Sequence, residues 1–201
     1  EFGRRLEVSI EKQGSTVGEH ERVAKFYDDV YYMGAEAGAS PSLHLKKLST
    51  RLGVSSGWSV LDVACGAGDW LAVVAASGAT VSGIDISVRA VSICSQRMPN
   101  GKFHTGPAEV LPFPDCTYDL VTCLGSLEHF LDQPAALAEM VRVVKPDGKV
   151  VILVPNAGFL TYRLGLYKGT QQQAIRETIR PLSEWYQMLN SSGLAVKERW
   201  K

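Results

Sequence analysis

Two carboxylates and a glycine turn mark where this chain has the residues for chemistry. Asp62 precedes Gly66 and Gly68 at the spacing D-x-x-x-G-x-G, within the run Val60-Leu61-Asp62-Val63-Ala64-Cys65-Gly66-Ala67-Gly68-Asp69-Trp70. Glycines there permit a tight turn and let backbone amides approach a ligand closely. A helix opening after Gly68 would turn its unpaired N–H groups toward the same ligand. An acid ahead of the turn suits a ligand with a positive amine. The dinucleotide fingerprint G-x-G-x-x-G fails, because Leu71 stands at its third glycine. Asp85 follows the turn at about 20 residues, where nucleotide-binding α/β proteins place a ribose-binding carboxylate. Its competing reading is a helix cap, a task for which Ser87 is better placed. Farther on stands His129, with an ordinary pKa near ~6.5. It can take a proton from an attacking hydroxyl or amine, or it can simply orient its loop by hydrogen bonding.

The elements that must hold these groups alternate. Strands are expected at 59–64, 80–84, 102–105, 119–124 and 149–154, with a further one at 194–200. Helices are expected at 70–77, 87–97 and 134–144 between the strands, and at 182–191 after them. Val60, Leu61 and Val63 give the nearly unbroken apolar run of a central strand. Such alternation implies βαβ units: an α/β, Rossmann-like, doubly wound and mostly parallel sheet with helices on both faces. These sheets bind ligands beyond the carboxyl ends of their strands, at the switch point. Two helices precede the sheet, at 21–33 and 42–52, the second started near Pro41 and ended at Gly53.

Asp62 to Gly68, Asp85, and the stretch Gly106-Pro107-Ala108-Glu109-Val110-Leu111-Pro112-Phe113-Pro114-Asp115 ahead of Tyr118-Asp119-Leu120-Val121 lie in one register. Together they resemble the class I S-adenosylmethionine-dependent methyltransferases, whose pattern here is A-E-x-L-P-F-x-D-x-x-[FY]-D-x-V. The resemblance covers 59–154 well and the flanks loosely. It implies a sheet ordered 3-2-1-4-5-7-6, with an antiparallel seventh strand. Only six strands are placed, so the chain is expected to be truncated or disordered beyond Lys201. One domain is expected: a helical lid at 1–56, a cofactor-binding core at 57–154, and a substrate-side segment with a C-terminal strand at 155–201.

The resemblance also assigns residues. S-adenosylmethionine, leaving as S-adenosylhomocysteine, would meet Asp62, Ala64, Cys65, Gly66, Gly68, Asp85, Ile86, Ala108, Glu109, Leu124 and Gly125. Tyr27 and Tyr32 would close over it from the lid, and His129 would stand at the reacting edge. Pro107 departs from the family, which has an acid there, and proline has neither an N–H nor a side-chain acceptor. Glu109 either substitutes at the adenine or is a solvated loop charge. Glu128 and His129 alone are too few ligands for a metal, so none is expected. The substrate wall is expected from 155–181, with Asn156, Phe159, Tyr162, Arg163, Tyr167 and Lys168, then Arg176 and Arg180. Those cations weakly suggest an anionic acceptor, and a solvated helix face is the preferred reading.

Composition narrows the classes. The chain has 201 residues, 45% of them apolar, and 21 basic against 21 acidic side chains. Zero net charge gives no general attraction to nucleic acid or to an anionic membrane surface. No apolar run approaches the ~20 residues of a membrane span. Cys65, Cys94, Cys116 and Cys123 have no C-x-x-C spacing, which fits reduced thiols in a cytoplasmic protein. The expected activity is methyl transfer to a small molecule. The rivals are a non-catalytic S-adenosylmethionine-binding accessory protein and an NAD-type oxidoreductase, the latter disfavoured by Leu71.

Overall fold

A computed structural model describes residues 16–34, 42–158, 175 and 177–200. Five parallel strands form its sheet in the order β3-β2-β1-β4-β5. They are β1 (Ser59–Val63), β2 (Thr80–Asp85), β3 (Lys102–Thr105), β4 (Tyr118–Leu124) and β5 (Val144–Leu153). Chain order reverses between β1 and β4, which pair through Val60↔Leu120 and Asp62↔Thr122. That reversal opens the crevice at the carboxyl ends where ligands of such sheets sit.

The apolar side chains sort to two faces. Val60 and Leu120 pack with Leu52, Trp70, Leu71, Val74 and Cys94. These come from α2 (Leu43–Leu52), α3 (Asp69–Ala76) and α4 (Val88–Arg97). Leu61, Val63, Val121 and Cys123 face the other way, onto α5 (Gln133–Val143) and Trp185 of α6 (Leu182–Ser191). Adjacent strand residues point to opposite faces, so one unbroken apolar run feeds both cores.

Caps set the helix limits. The Ser42 hydroxyl accepts the Leu45 N–H, and Gly53 ends α2 in the left-handed conformation at φ 70°. Ser87 caps α4 through the Ala90 N–H at 3.0 Å, as its sequence position predicts.

The segment between β3 and β4 is fastened from α5. Arg142 donates to the Leu111 and Phe113 carbonyls at 2.9 and 2.8 Å and pairs with Asp115 at 2.6 Å. Glu139 accepts the Leu111 N–H at 2.7 Å, while Leu111 and Phe113 are buried. The A-E-x-L-P-F pattern is thus a loop whose apolar residues anchor it and whose backbone is gripped by an ion pair. Asp119 works at the opposite end of the sheet, accepting the Ser59 N–H and the Lys145 ammonium.

Two expectations change. The helix expected at 21–33 is α1 (Thr16–Phe26), which runs into a π-helical turn at Tyr27–Tyr31. Residues 194–200 form no strand. Three charged residues, Lys197, Glu198 and Arg199, interrupt the apolar alternation there. The Trp200 ring instead lies under the Arg51 guanidinium at 4.5 Å, and Glu198 pairs with Arg51 at 3.9 Å.

Candidate active site

β1 delivers Asp62 to the crevice almost wholly buried. The Thr122 hydroxyl, from the neighbouring β4, donates to Asp62 Oδ1 at 2.5 Å. Burial pushes the Asp62 carboxyl up to about 8, against the pull of the Thr122 bond, and the Asp85 charge adds to the rise. A carboxyl so placed gains when a cation reaches it.

The turn that follows is tightly wound. Ala64 takes φ 60°, an uncommon conformation for a residue with a side chain, and Gly66 takes φ 53°. Backbone held this way clusters at ligand sites. The Gly66 N–H donates to Asp85 Oδ2 at 2.8 Å, and the Ser87 N–H donates to Asp85 Oδ1 at 2.9 Å. Ser87 holds the capping role, so Asp85 is not the cap of α4. An ionised carboxylate has about four acceptor positions. The Ile86 amide faces the same carboxylate, which still leaves acceptor capacity at Asp85 for a ligand. Burial raises its pKa as well.

Around these groups lies a cavity of about 690 Å³, within the ~300–1,000 Å³ usual for small-molecule sites. Of the expected site residues, Asp62, Ala64, Cys65, Gly66, Asp85 and Ile86 line it. So do Ala108, Glu109, Leu124, Gly125 and His129, with Tyr27 and Tyr32 above them. Gly68 does not line it. A side chain there would strike Met98 Cε at 2.7 Å and Cys94 Sγ at 2.8 Å, so Gly68 lets α3 seat against α4.

Glu109 is not a solvated charge. Its Oε1 accepts the Leu131 and Asp132 N–H groups, each at 3.1 Å, and Oε2 lies 3.4 Å from His20 Nε2. It ties the loop after β3 to the loop after β4 and to α1. The π-helical turn is held from the other side. Asp28 Oδ1 accepts the Ser87 hydroxyl at 2.5 Å and the Arg89 N–H at 3.0 Å. The wide turn brings Phe26, Tyr27, Tyr31 and Tyr32 over the cleft, and burial raises the pKa of Tyr27 and Tyr32.

Sequence reasoning missed several neighbours. Trp70 lines the cleft with its indole N–H buried and without a hydrogen-bond partner among the described residues. His20 lines it from α1, just ahead of the helix expected at 21–33. Glu177 lies beside Glu128 and His129, with one ligating atom of each within 4.8 Å of the others. Nothing in the sequence pairs residue 177 with 128. Arg180 is occupied structurally, contacting Gln133 and Glu184 at 3.3 Å each. Phe159, Tyr162, Arg163, Tyr167, Lys168 and Arg176 lie outside the described residues.

Residues 61–152 match the family model described as a methyltransferase domain. These residues have the Rossmann-like fold of the class I methyltransferases. The demethylmenaquinone methyltransferase of Bacillus licheniformis is 36% identical over 151 residues, covering 71% of this chain and 63% of that protein. The enzyme of the same name from Staphylococcus aureus is 41% identical over 114 residues, covering 54% of this chain and 47% of the relative. The chain therefore spans between 47% and 63% of these relatives' lengths. Among solved structures, the YcgJ protein of Bacillus subtilis superposes with a TM-score of 0.67 at 26% identity, over 77% of this chain and 69% of that one. The methyltransferase domain holds both buried carboxylates and the glycine turn. Tyr27 and Tyr32 lie outside the matched span. Among the described residues no helix is long and apolar enough to cross a membrane.

Proposed function

We propose that this chain binds S-adenosylmethionine in the cleft and transfers its methyl group to a small molecule. One observation carries the reading: Asp62 and Asp85, both buried, face one cavity with the Gly66 turn between them. A cationic amine answers the first acid, a ribose diol answers the second, and bare backbone fits between. Asp62, Ala64, Cys65 and Gly66 hold the amino-acid end, with Gly68 supporting the turn from behind. Asp85 holds the ribose, Ile86 packs on the adenine, and Ala108 presents its backbone amide to it. Glu109 fastens the adenine loop. Leu124 and Gly125 border the sulfonium, and Tyr27 and Tyr32 close the lid.

The sulfonium supplies the reactivity, and the protein supplies alignment and exclusion of water. His129 stands at the acceptor side and positions it. Phe26, Val30, Phe130 and Leu131 give the cleft an apolar wall, which suits an aromatic acceptor of the kind named in the demethylmenaquinone relatives.

The experiment mixes purified protein, methyl-labelled S-adenosylmethionine and a small-molecule extract. Label appearing in a metabolite of increased mass supports the enzyme. Binding without transfer leaves an accessory protein, and affinity for a nicotinamide nucleotide instead would overturn the reading.

A further inference from the structure

α4 reaches the glycine turn from behind. Its Cys94 thiol donates to the Gly66 carbonyl at 3.1 Å. Its last residue, Arg97, donates from Nη1 to the Ala67 carbonyl at 2.7 Å, and the same nitrogen bonds Asp69 Oδ1 at 2.7 Å. In a planar trans peptide the N–H points opposite the carbonyl. A Gly66 carbonyl drawn toward α4 therefore turns the Ala67 N–H away from α4, and Gly66, Ala67 and Asp69 all line the cleft. The Arg97 side chain is 11% exposed, that of Asp69 51%. A charge pair so open to water on one side adds little to folding stability. Its weight falls on what the cleft accepts. Asp62, Asp85 and Glu109 line the same cleft as Asp69. A ligand bringing a carboxylate of its own meets repulsion from any acid there that is not offset.

We infer that Arg97 is a positioning residue for the amino-acid end of the cofactor. It stands behind the turn and acts through it, in two ways. It pins the Ala67 carbonyl, so the peptides of the turn keep one orientation toward the ligand. It also offsets the Asp69 charge, so the carboxylate at the amino-acid end enters against less repulsion. Asp62 answers the amine of that end, and Arg97 makes room for its acid. Both bonds leave one nitrogen of Arg97, and a lysine ammonium, with three donors, can make both. This role rests on the S-adenosylmethionine reading of the cleft.

The test compares two ligands by titration calorimetry. S-adenosylhomocysteine carries the amino-acid end. Methylthioadenosine keeps the adenine, the ribose and the sulfur without it. Arg97→Met should weaken S-adenosylhomocysteine binding by about fivefold or more and leave methylthioadenosine binding unchanged, with circular dichroism as in wild type. Arg97→Lys should keep more of the affinity than Arg97→Met. Asp69 is half exposed, so Asp69→Asn carries the test even where Arg97→Met fails to fold. With the acid neutralised, Asp69→Asn should bind S-adenosylhomocysteine at least as tightly as wild type. A folded Arg97→Met protein with unchanged S-adenosylhomocysteine affinity, or one that loses both ligands equally, overturns the proposal. So does an Asp69→Asn protein that binds S-adenosylhomocysteine more weakly. Wild-type protein that binds neither ligand overturns the cofactor reading itself, which separates the two failures.

Discussion

The Gly66 N–H and the Asp85 carboxylate are joined at 2.8 Å, so the end of β2 holds the turn that follows β1. Asp85 therefore shapes the turn, and under the proposed function it also receives the ligand. Asp85→Ala should weaken S-adenosylhomocysteine binding at least tenfold, about 1.4 kcal/mol, in titration calorimetry. An unchanged dissociation constant would remove Asp85 from the ribose.

Gly66 is constrained twice. Its φ of 53° disfavours any side chain, and a Cβ there would sit 2.8 Å from the Tyr32 hydroxyl. Gly66→Ala should cost about 1–2 kcal/mol from the left-handed backbone alone, read by urea unfolding. Adding Tyr32→Ala relieves the collision and leaves the backbone strain. A Gly66→Ala protein as stable as wild type would contradict this account of the turn.

The π-helical turn after α1 rests on Asp28, which bonds the Ser87 hydroxyl and the Arg89 N–H at the start of α4. Asp28→Ala should loosen α1 without touching the carboxylates below. Loss of a helix-terminal acceptor typically costs about 0.5–2 kcal/mol. Hydrogen exchange should rise across residues 16–31 and stay unchanged in β1 and β4. Equal exchange in both proteins would show that the lid is held by other contacts.

Asp62 gives the ligand-free protein a pH dependence. Its carboxyl is pushed up to about 8 from 3.8 by burial. The folded protein keeps a proton there that the unfolded chain releases near pH ~4. The stabilisation is complete below that value and is lost as pH rises toward 8. Asp85, also raised, acts in the same direction. Thermal midpoints should fall between pH 5 and 8, and Asp62→Asn should flatten the slope. A cationic ligand favours the ionised form, so its stabilising effect should grow over the same range. Identical slopes for wild type and Asp62→Asn would contradict the assignment.

The strands were legible because β1 and β4 are buried on both faces and read as continuous apolar runs. The limits of α2 and the start of α4 were legible from local chemistry, with Gly53 ending the former and Ser87 capping the latter. The π-helical turn was not, since its i→i+5 bond, Tyr32 N–H to the Tyr27 carbonyl, leaves the apolar spacing of an ordinary helix nearly intact. Gly68 was grouped with Gly66 because both sit in one motif, yet packing against Cys94 and Met98 separates them. Glu177 was invisible because its nearness to Glu128 depends on how the chain returns after β5. The strand expected at 194–200 failed because alternation there competes with Arg51, which draws Trp200 and Glu198 aside.

A crystal structure of the protein soaked with S-adenosylhomocysteine tests the central claim most directly. The account predicts density in the cleft, with both ribose hydroxyls on the Asp85 carboxylate and the amine beside Asp62. A well-ordered crystal with that cleft unchanged, or with the compound bound elsewhere, would contradict it.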